Sequence, residues 1–480
     1  MTRTEPKSQN APWRFCRWVL VACVLLASIA RDAAAEEKGA GTDAKPARVV
    51  IVNEVPVTTG PVTTGPVTTG PVTTGPVTTG PVTTGPVITG PGTTGLGTDV
   101  KGPQPPAAPE VVNDGEGGRD LSMRRYTPKS RLVLPRTPIN GAKYPVVDVH
   151  THFFHKLKHN EQGLKDFLSV MDRNRIRVCV SLDGMLGDQL ESHLAFLHRE
   201  HRDRFVIFAN VDWQGDGKAD DPASWACLRP GFAARTAEQL RAAAKRGVAG
   251  LKVFKLLGLG YRDVDGTLLK IDDPRWDEIW AVCGELGIPV LIHSGDPAPF
   301  FDPIDRFNER WEELSRNPAW SFYGGDFPKL EDLMAARNRV IARHPKTNFI
   351  AAHLGSSEHD LKTLGQWLDT HPNLYVDIAS RINELGRQPY SARAFMIRYA
   401  DRIIFGTDGP WPEARLNAYW RFLETFDEAF HYSEKEPPPQ GLWLIDGIGL
   451  PDEVLRKVYH ENAARLIPGV KERLDALDQP

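Results

Sequence analysis

The chain has 480 residues and a formal net charge of −3, and its acidic and basic residues are interspersed. This balance argues against a nucleic-acid-binding surface and against a polybasic membrane patch. The length would allow two or three domains, but the uneven composition lowers that number.

Residues 1–35 have the three parts of a secretory signal peptide. Basic residues precede the apolar run WVLVACVLLASIA, and three alanines follow it at 33–35. The run is shorter than the roughly 20 apolar residues that a membrane-spanning helix needs. The sequence therefore predicts export, to the periplasm or out of the cell, with no membrane span after the signal is cleaved. An uncleaved anchor is the alternative.

Residues 36–121 are predicted to be a disordered, low-complexity spacer. Within 56–90 the unit PVTTG recurs, and it has no charge and one modest apolar side chain. Such a unit cannot bury enough surface to offset the entropy that ordering costs. The plain interpretation is a spacer that holds the next domain away from a surface, and a specific ligand for the repeat is the alternative. Residues 122–143 are predicted to form an N-terminal strap.

From about Tyr144 onward, short apolar runs alternate with amphipathic helical patterns. This alternation is typical of a parallel sheet. Eight such units fit a (β/α)8 TIM barrel over 144–470, followed by a tail at 471–480. A doubly wound open sheet is the alternative. The predicted strands lie at 145–150, 177–184, 205–213, 248–255, 289–295, 348–355, 373–380 and 402–409.

Polar side chains lie at or near the C-terminal ends of six predicted strands. Because active sites of such barrels form at that end, we expect these side chains to converge. Alternation along the first strand predicts that Asp148, His150 and His152 share the interior face. Val147 and Val149 would then face the helices. The other polar residues at strand ends are Lys252, His293, His353, Asp377 and Asp408.

These residue types point to metal chemistry. Three imidazoles and one carboxylate are the ligand set of a catalytic zinc site with one position left for water. Such an ion lowers the pKa of water and polarises a substrate oxygen, and a further histidine and carboxylate can move protons. Asp377 has two interpretations, a member of this site or a residue that fills the barrel and bonds to a neighbouring strand.

Four stretches, DVHTH, LIHSG, AAHLG and FGTDGPWP, resemble the signatures of the amidohydrolase superfamily, in its amidohydrolase-related branch. That branch includes hydrolases and also decarboxylases similar to aminocarboxymuconate semialdehyde decarboxylase. The resemblance covers about residues 144–468, including ENAARL at 461–466. It is specific for the superfamily and leaves the substrate open.

Carried over by position, the resemblance implies that His150, His152, His293 and Asp408 bind one divalent metal ion. Zinc is the expected ion, and manganese, iron or cobalt are alternatives. The resemblance also implies that His353 transfers a proton or orients the water molecule. Lys252 is expected to be a cation that binds substrate or supports the site, and a second metal ion bridged by this lysine is the alternative.

The expected partner is a small molecule with a carboxylate or carbonyl group, and the sequence predicts no oligomeric state. Arg381 is expected to hold a substrate carboxylate, with a surface ion pair as the alternative. Trp411 is expected to form part of the pocket wall. The long stretch after strand five is either a lid or a segment packed on the barrel. Its aromatic residues are Phe300, Phe301, Trp311, Trp320, Phe322 and Tyr323.

Three functions from different classes follow. The first is an exported metal-dependent hydrolase, in which activated water attacks an amide, ester or lactone carbonyl. Asp408 would take the proton and His353 would stabilise the developing charge. The second is a non-oxidative decarboxylase, in which His353 or Asp408 protonates the carbon left behind. The third is a non-catalytic surface binding module, which predicts that the ligand set is degraded, whereas the set is intact.

Overall fold

The computed structural model describes residues 128–477. The predicted signal peptide and spacer therefore lie outside the described residues. From Val133 onward, the described residues belong to one compact unit. No helix within 128–477 is long and apolar enough to cross a membrane.

Eight parallel strands form a nearly closed barrel, and they follow one another in chain order. Val149 N donates to Phe405 O at 3.1 Å and Gly409 N donates to His150 O at 3.2 Å, so backbone bonds link the two ends of the sheet. The predicted barrel is confirmed, since a doubly wound sheet reverses its strand order at a switch point. The strands are β1 Val146–Thr151, β2 Ile176–Ser181, β3 Phe205–Asn210, β4 Val248–Val253, β5 Val290–Ile292, β6 Phe349–Ala351, β7 Leu374–Asp377 and β8 Ile403–Ile404.

Helices surround the barrel, and shorter helices lie within the segments that connect its strands. The α-helices are Phe153–Leu157, Glu161–Arg173, Asp188–His201, Phe232–Lys245, Leu256–Leu259, Asp277–Leu286, Trp311–Arg316, Leu330–Arg343, Ala352–Gly355, Leu361–Thr370, Ile382–Leu385, Pro389–Arg398, Glu413–Glu424, Asp452–Arg456, Asn462–Leu466 and Val470–Leu477. A π-helical turn spans Lys457–Glu461. Short 3₁₀ turns span Pro222–Ser224, Ala226–Leu228, Pro274–Trp276, Ala298–Phe301 and Pro318–Trp320.

The register of β1 overturns the predicted alternation along that strand. Asp148 pairs with Cys179 of β2 and Thr151 pairs with Ser181, so β1 has one extra residue between these pairs. An extra residue in one strand reverses the facing of the side chains beyond it. Asp148 therefore faces outward with Cys179, whose Sγ lies 4.0 Å from Met171 Sδ in the helix layer.

The predicted facing of the apolar residues of β1 is wrong for the same reason. Val147 and Val149 were expected on the helix side, but both belong to the buried cluster that contains Leu291 and Ile350 of the barrel interior. His150 and His152 do reach the interior, because they follow the irregular position. Asp148 instead accepts hydrogen bonds on its carboxylate from the backbone N and Oγ1 of Thr407, and so ties β1 to the segment after β8.

The stretch predicted as a tail contains a helix, Val470–Leu477. Its residues Val470 and Leu474 belong to the same apolar cluster as the strand residues of the barrel interior. Arg473 Nε donates to Arg202 O at 2.8 Å, just before β3 begins. The helix therefore lies at the N-terminal end of the strands, opposite the end at which the candidate site forms.

Candidate metal centre

The imidazole rings of His150 and His152 each bond to a carboxylate through Nδ1. His150 Nδ1 lies 2.9 Å from Asp377 Oδ2, and His152 Nδ1 lies 2.7 Å from Asp183 Oδ1. An ionised carboxylate only accepts, so each Nδ1 carries a hydrogen, and Nε2 is the ring nitrogen left to bind a metal ion. The two Nε2 atoms lie 3.9 Å and 3.5 Å from Asp408 Oδ1.

Asp408 follows β8 and has a left-handed backbone conformation, with φ 65°. Its side chain is 22% exposed, and its Oδ2 accepts a hydrogen bond from Ser380 Oγ at 3.3 Å. Burial alone would raise the pKa of this carboxyl, but the neighbouring Lys156 and His150 outweigh burial and hold the pKa well below its usual range. Asp408 is therefore an ionised carboxylate at neutral pH.

Asp377 is the last residue of β7 and supports the site from the C-terminal end of that strand. It is fully buried, and its Oδ1 accepts from the backbone N of His353 at 2.9 Å and of Ala379 at 3.0 Å. The bond to His353, directly after β6, supports the interpretation that Asp377 bonds to a neighbouring strand. Its separate bond to His150 through Oδ2 also makes it part of the site.

Asp183 was not singled out from the sequence. It follows the end of β2, and its Oδ2 accepts from the backbone N of Phe154 at 2.9 Å and of His155 at 3.1 Å. The signal that would have found it is the one that selected the other residues, a polar side chain near the C-terminal end of a predicted strand. Its bond to His152 ties it to the site.

His353 lies between two other histidines. Its ring centroid is 4.6 Å from that of His150 and 4.6 Å from that of His293. Its Nδ1 lies 2.8 Å from Ala379 O, and because a carbonyl only accepts, Nδ1 carries the hydrogen. Burial lowers the pKa of His353 well below its ordinary value, so the ring is neutral and presents a lone pair at Nε2.

His293 lies beside His353, and its Nε2 is engaged by neighbours of its own segment. Its Nε2 is 3.1 Å from Gly295 O and 3.5 Å from Asp296 Oδ1, and Asp296 is itself paired with Lys255. Within 128–477, three groups place their ligand atoms within 4.8 Å of one another, and His293 belongs to none of them. The groups are His150–His152–Asp408, His150–His353–Asp377 and His152–His155–Asp183.

The three residues expected to bind substrate have different surroundings. Lys252 Nζ is buried and has no hydrogen-bond partner among the described residues. Burial lowers its pKa to about 8, against the opposing pull of Asp377 and Asp408. Trp411 is fixed by its Nε1, which donates to Thr407 O at 2.8 Å.

Arg381 forms an ion pair, in line with the alternative interpretation of this residue, although the pair is buried and not at the surface. Its Nε lies 3.3 Å from Glu358 Oε2, and both side chains are almost fully buried. A second nitrogen of the guanidinium donates to Ser380 O at 2.9 Å. Arg381 therefore has a carboxylate partner within the protein.

The aromatic stretch after β5 is largely packed onto the barrel. The rings of Phe301 and Phe322 are 5.3 Å apart, and both pack against a buried cluster that includes Leu330 of the next long helix. Trp311 and Tyr323 differ, because they are 47% and 58% exposed. Packing is therefore the supported interpretation for the two phenylalanines.

The side chains present fit a divalent metal ion. The Nε2 atoms of His150 and His152 both face the ionised carboxylate of Asp408. Hydrogen bonding of the other ring nitrogen to a carboxylate is what orients histidine ligands in metal sites. Nitrogen and carboxylate ligands suit zinc and its neighbours among the transition metals.

Comparisons with known proteins give one family and several solved structures. Residues 147–469 match the family model described as amidohydrolase. The chain is similar to dihydroorotase from Campylobacter jejuni, with 12% identity over 67% of this chain and 82% of that chain and a TM-score of 0.38. It is similar to 2,6-dihydroxybenzoate decarboxylase from Rhizobium, with 17% identity over 70% and 100% and a TM-score of 0.40. It is also similar to dihydroxybenzoic acid decarboxylase from Polaromonas sp. JS666, determined with manganese and 2-nitroresorcinol, with 15% identity over 70% and 99% and a TM-score of 0.41.

Proposed function

The chain belongs to the amidohydrolase family, and on that premise we propose that it is an exported, metal-dependent hydrolase of small molecules with an amide, ester or lactone carbonyl. The observation that carries the proposal is the convergence of His150 Nε2 and His152 Nε2 on Asp408 Oδ1. A divalent ion, with zinc proposed first and manganese, iron or cobalt as alternatives, supplies such a site with a polarised substrate oxygen and a lowered pKa for water.

The roles of the protein groups follow from their hydrogen bonds. Asp408 is ionised and accepts the proton that the attacking water loses. His353 donates from Nδ1 to Ala379 O, so its Nε2 accepts a hydrogen bond and orients the water. A neutral ring in this tautomer has no hydrogen at Nε2, which argues against the charge-stabilising role expected from the sequence. Lys252 Nζ, which is buried and has no partner among the described residues, supplies positive charge for the developing oxyanion.

Decarboxylation is the second candidate, and the unpartnered Lys252 favours it by suiting a substrate carboxylate. The reaction also needs an acid that protonates the carbon after carbon dioxide leaves. The pKa of Asp408 is held below its usual range and His353 presents a lone pair, so neither group holds a proton at the required place. Hydrolysis is preferred for this reason.

Product analysis separates the two reactions. Zinc-loaded protein is incubated with a panel of lactones, aryl esters, small amides and hydroxybenzoates. The masses of the products are then measured by mass spectrometry. Hydrolysis adds one water to a substrate, and decarboxylation releases carbon dioxide. Turnover of hydroxybenzoates alone, with release of carbon dioxide, would overturn the hydrolase proposal. Turnover of none, with the metal bound, would favour the non-catalytic binding module.

Export is proposed from residues 1–35, whose basic start, apolar run and small residues are typical of a cleaved signal. The test is fractionation of cells that express the full chain, followed by sequencing of the N-terminus of the mature protein. A mature chain that begins near residue 36 in the exported fraction is expected. A cytoplasmic, uncleaved chain would contradict the proposal.

A further inference from the structure

Lys156 is a lysine that the metal chemistry described above does not use. It lies in the short helix Phe153–Leu157, one turn after His152. Its Nζ donates to the backbone carbonyl of Asp408 at 2.5 Å. The same Nζ lies 3.1 Å from the centroid of the Trp411 ring.

Trp411 links this lysine to the backbone that carries Asp408. Its indole Nε1 donates to Thr407 O at 2.8 Å, so Trp411 and Lys156 together hold two consecutive carbonyls, those of Thr407 and Asp408. The guanidinium carbon of Arg415 lies 3.7 Å from the centroid of the same ring. Cations over an indole face are held by the electrons of the ring, which restricts where Trp411 can lie.

The backbone of Asp408 needs such support. Its φ of 65° is in the left-handed region, which a residue with a Cβ adopts at a cost and keeps only when its surroundings hold it there. The direction of the carboxylate depends on this conformation. Relaxation of the backbone would carry Oδ1 away from the Nε2 atoms of His150 and His152, which lie 3.9 Å and 3.5 Å from it.

We propose that Lys156 is a positioning residue, which fixes the carboxylate of Asp408 opposite the two histidines by holding the Asp408 carbonyl beside Trp411. The inference rests on the proposed function, because it takes Asp408 to be a metal ligand. Hydrogen-bond donation carries the effect, and a lysine amine donates with or without its extra proton.

The experiment compares zinc affinity among full-length variants, measured by competition with a chromophoric chelator. Lys156→Met keeps the length of the side chain and removes the donor, and we expect the zinc dissociation constant to rise about 10- to 100-fold. Lys156→Arg restores a donor that can also stack on Trp411, so we expect it to recover part of the affinity. Lys158→Met is the matched control, since Lys158 is exposed, and we expect wild-type affinity.

The thermal midpoint of each metal-free variant shows whether it folds. If Lys156→Met does not fold, Trp411→Phe tests the same contact, because it keeps an aromatic ring and removes the donor to Thr407. We expect Trp411→Phe to weaken zinc binding by a smaller factor. Wild-type affinity in a folded Lys156→Met variant, or in Trp411→Phe if only that variant folds, would overturn the positioning role alone. A wild-type protein that binds no divalent ion would overturn the proposed function and this inference with it.

Discussion

Asp377 Oδ2 lies 2.9 Å from His150 Nδ1. The other oxygen of the same carboxylate accepts the backbone N–H of His353. One side chain of β7 therefore orients a histidine of β1 and anchors the segment after β6. The position of His150 Nε2, the proposed metal ligand, therefore depends on a residue that need not touch the metal itself.

We expect Asp377→Asn to weaken zinc binding about 10- to 100-fold, because an amide accepts less strongly from Nδ1 and leaves the ring less well oriented. Competition with a chromophoric chelator measures the change. Asp369→Asn is the control, since Asp369 is about half-exposed and pairs with Arg398 in the helix layer and not with a predicted metal ligand. Equal affinities in the two variants would mean that Asp377 only fills the barrel.

The second carboxylate, Asp183, gives a prediction about stability. Its Oδ2 accepts the backbone N–H groups of Phe154 and His155. Asp183→Ala leaves these donors without an acceptor, so we expect the free energy of unfolding of the metal-free protein to fall by about 1–3 kcal/mol. Urea denaturation measures it. Asp183→Asn keeps one acceptor oxygen and should lose less, and an equal loss in both variants would contradict this account.

Gly406 of the segment after β8 packs directly against His150. A Cβ at this position would lie 3.0 Å from His150 Cβ and 3.4 Å from Ala379 Cβ. We expect Gly406→Ala to displace His150 and to weaken zinc binding about tenfold, as other disturbances of ligand orientation do. Gly163→Ala, in the helix Glu161–Arg173, is the control and should leave zinc affinity unchanged. Unchanged affinity in Gly406→Ala would show that the barrel absorbs the added methyl group.

His198 gives a prediction about pH. Its Nε2 lies 3.1 Å from Phe205 O, and burial, with help from Arg473, lowers its pKa from 6.5 to about 4. As the pH falls from about 6.5 to about 4, the unfolded chain takes up this proton before the folded chain does, so stability falls over that window.

The measurement is the free energy of unfolding at several pH values between 4 and 7. Gln can replace the donor of His198 without titrating, so His198→Gln should show a shallower loss than the wild type. The control is His431→Gln, at an exposed histidine, and it should keep the wild-type slope. A slope in His198→Gln as steep as in the wild type would contradict the assignment.

The order of the strands and the residues at their ends could be predicted because apolar runs and helical patterns alternate clearly. The facing of side chains in β1 could not, because the extra residue between Asp148 and Thr151 leaves no mark in the sequence. His150 and His152 were placed correctly although the argument from Asp148 was wrong. Alternation is a reliable guide only while the register of a strand is regular.

Other features depend on contacts that no local pattern encodes. Lys156 lies in a helix of five residues, and only the folded chain brings it to Trp411. The sequence places His293 at the end of β5 correctly, but it does not show that Nε2 of this residue bonds to Gly295 O. That His293 is a metal ligand stays a prediction, and Nδ1 is the ring nitrogen that this bond leaves available as the ligand.

The most direct test of the central claim is elemental analysis of the full chain beside Asp408→Ala, after both are loaded with zinc and freed of excess metal. The account predicts about one equivalent of divalent metal per wild-type chain, as in a mononuclear catalytic site. It predicts little or none in Asp408→Ala. A wild-type protein that retains no metal after loading, or an Asp408→Ala variant that retains as much as the wild type, would contradict the claim that His150, His152 and Asp408 form a metal centre.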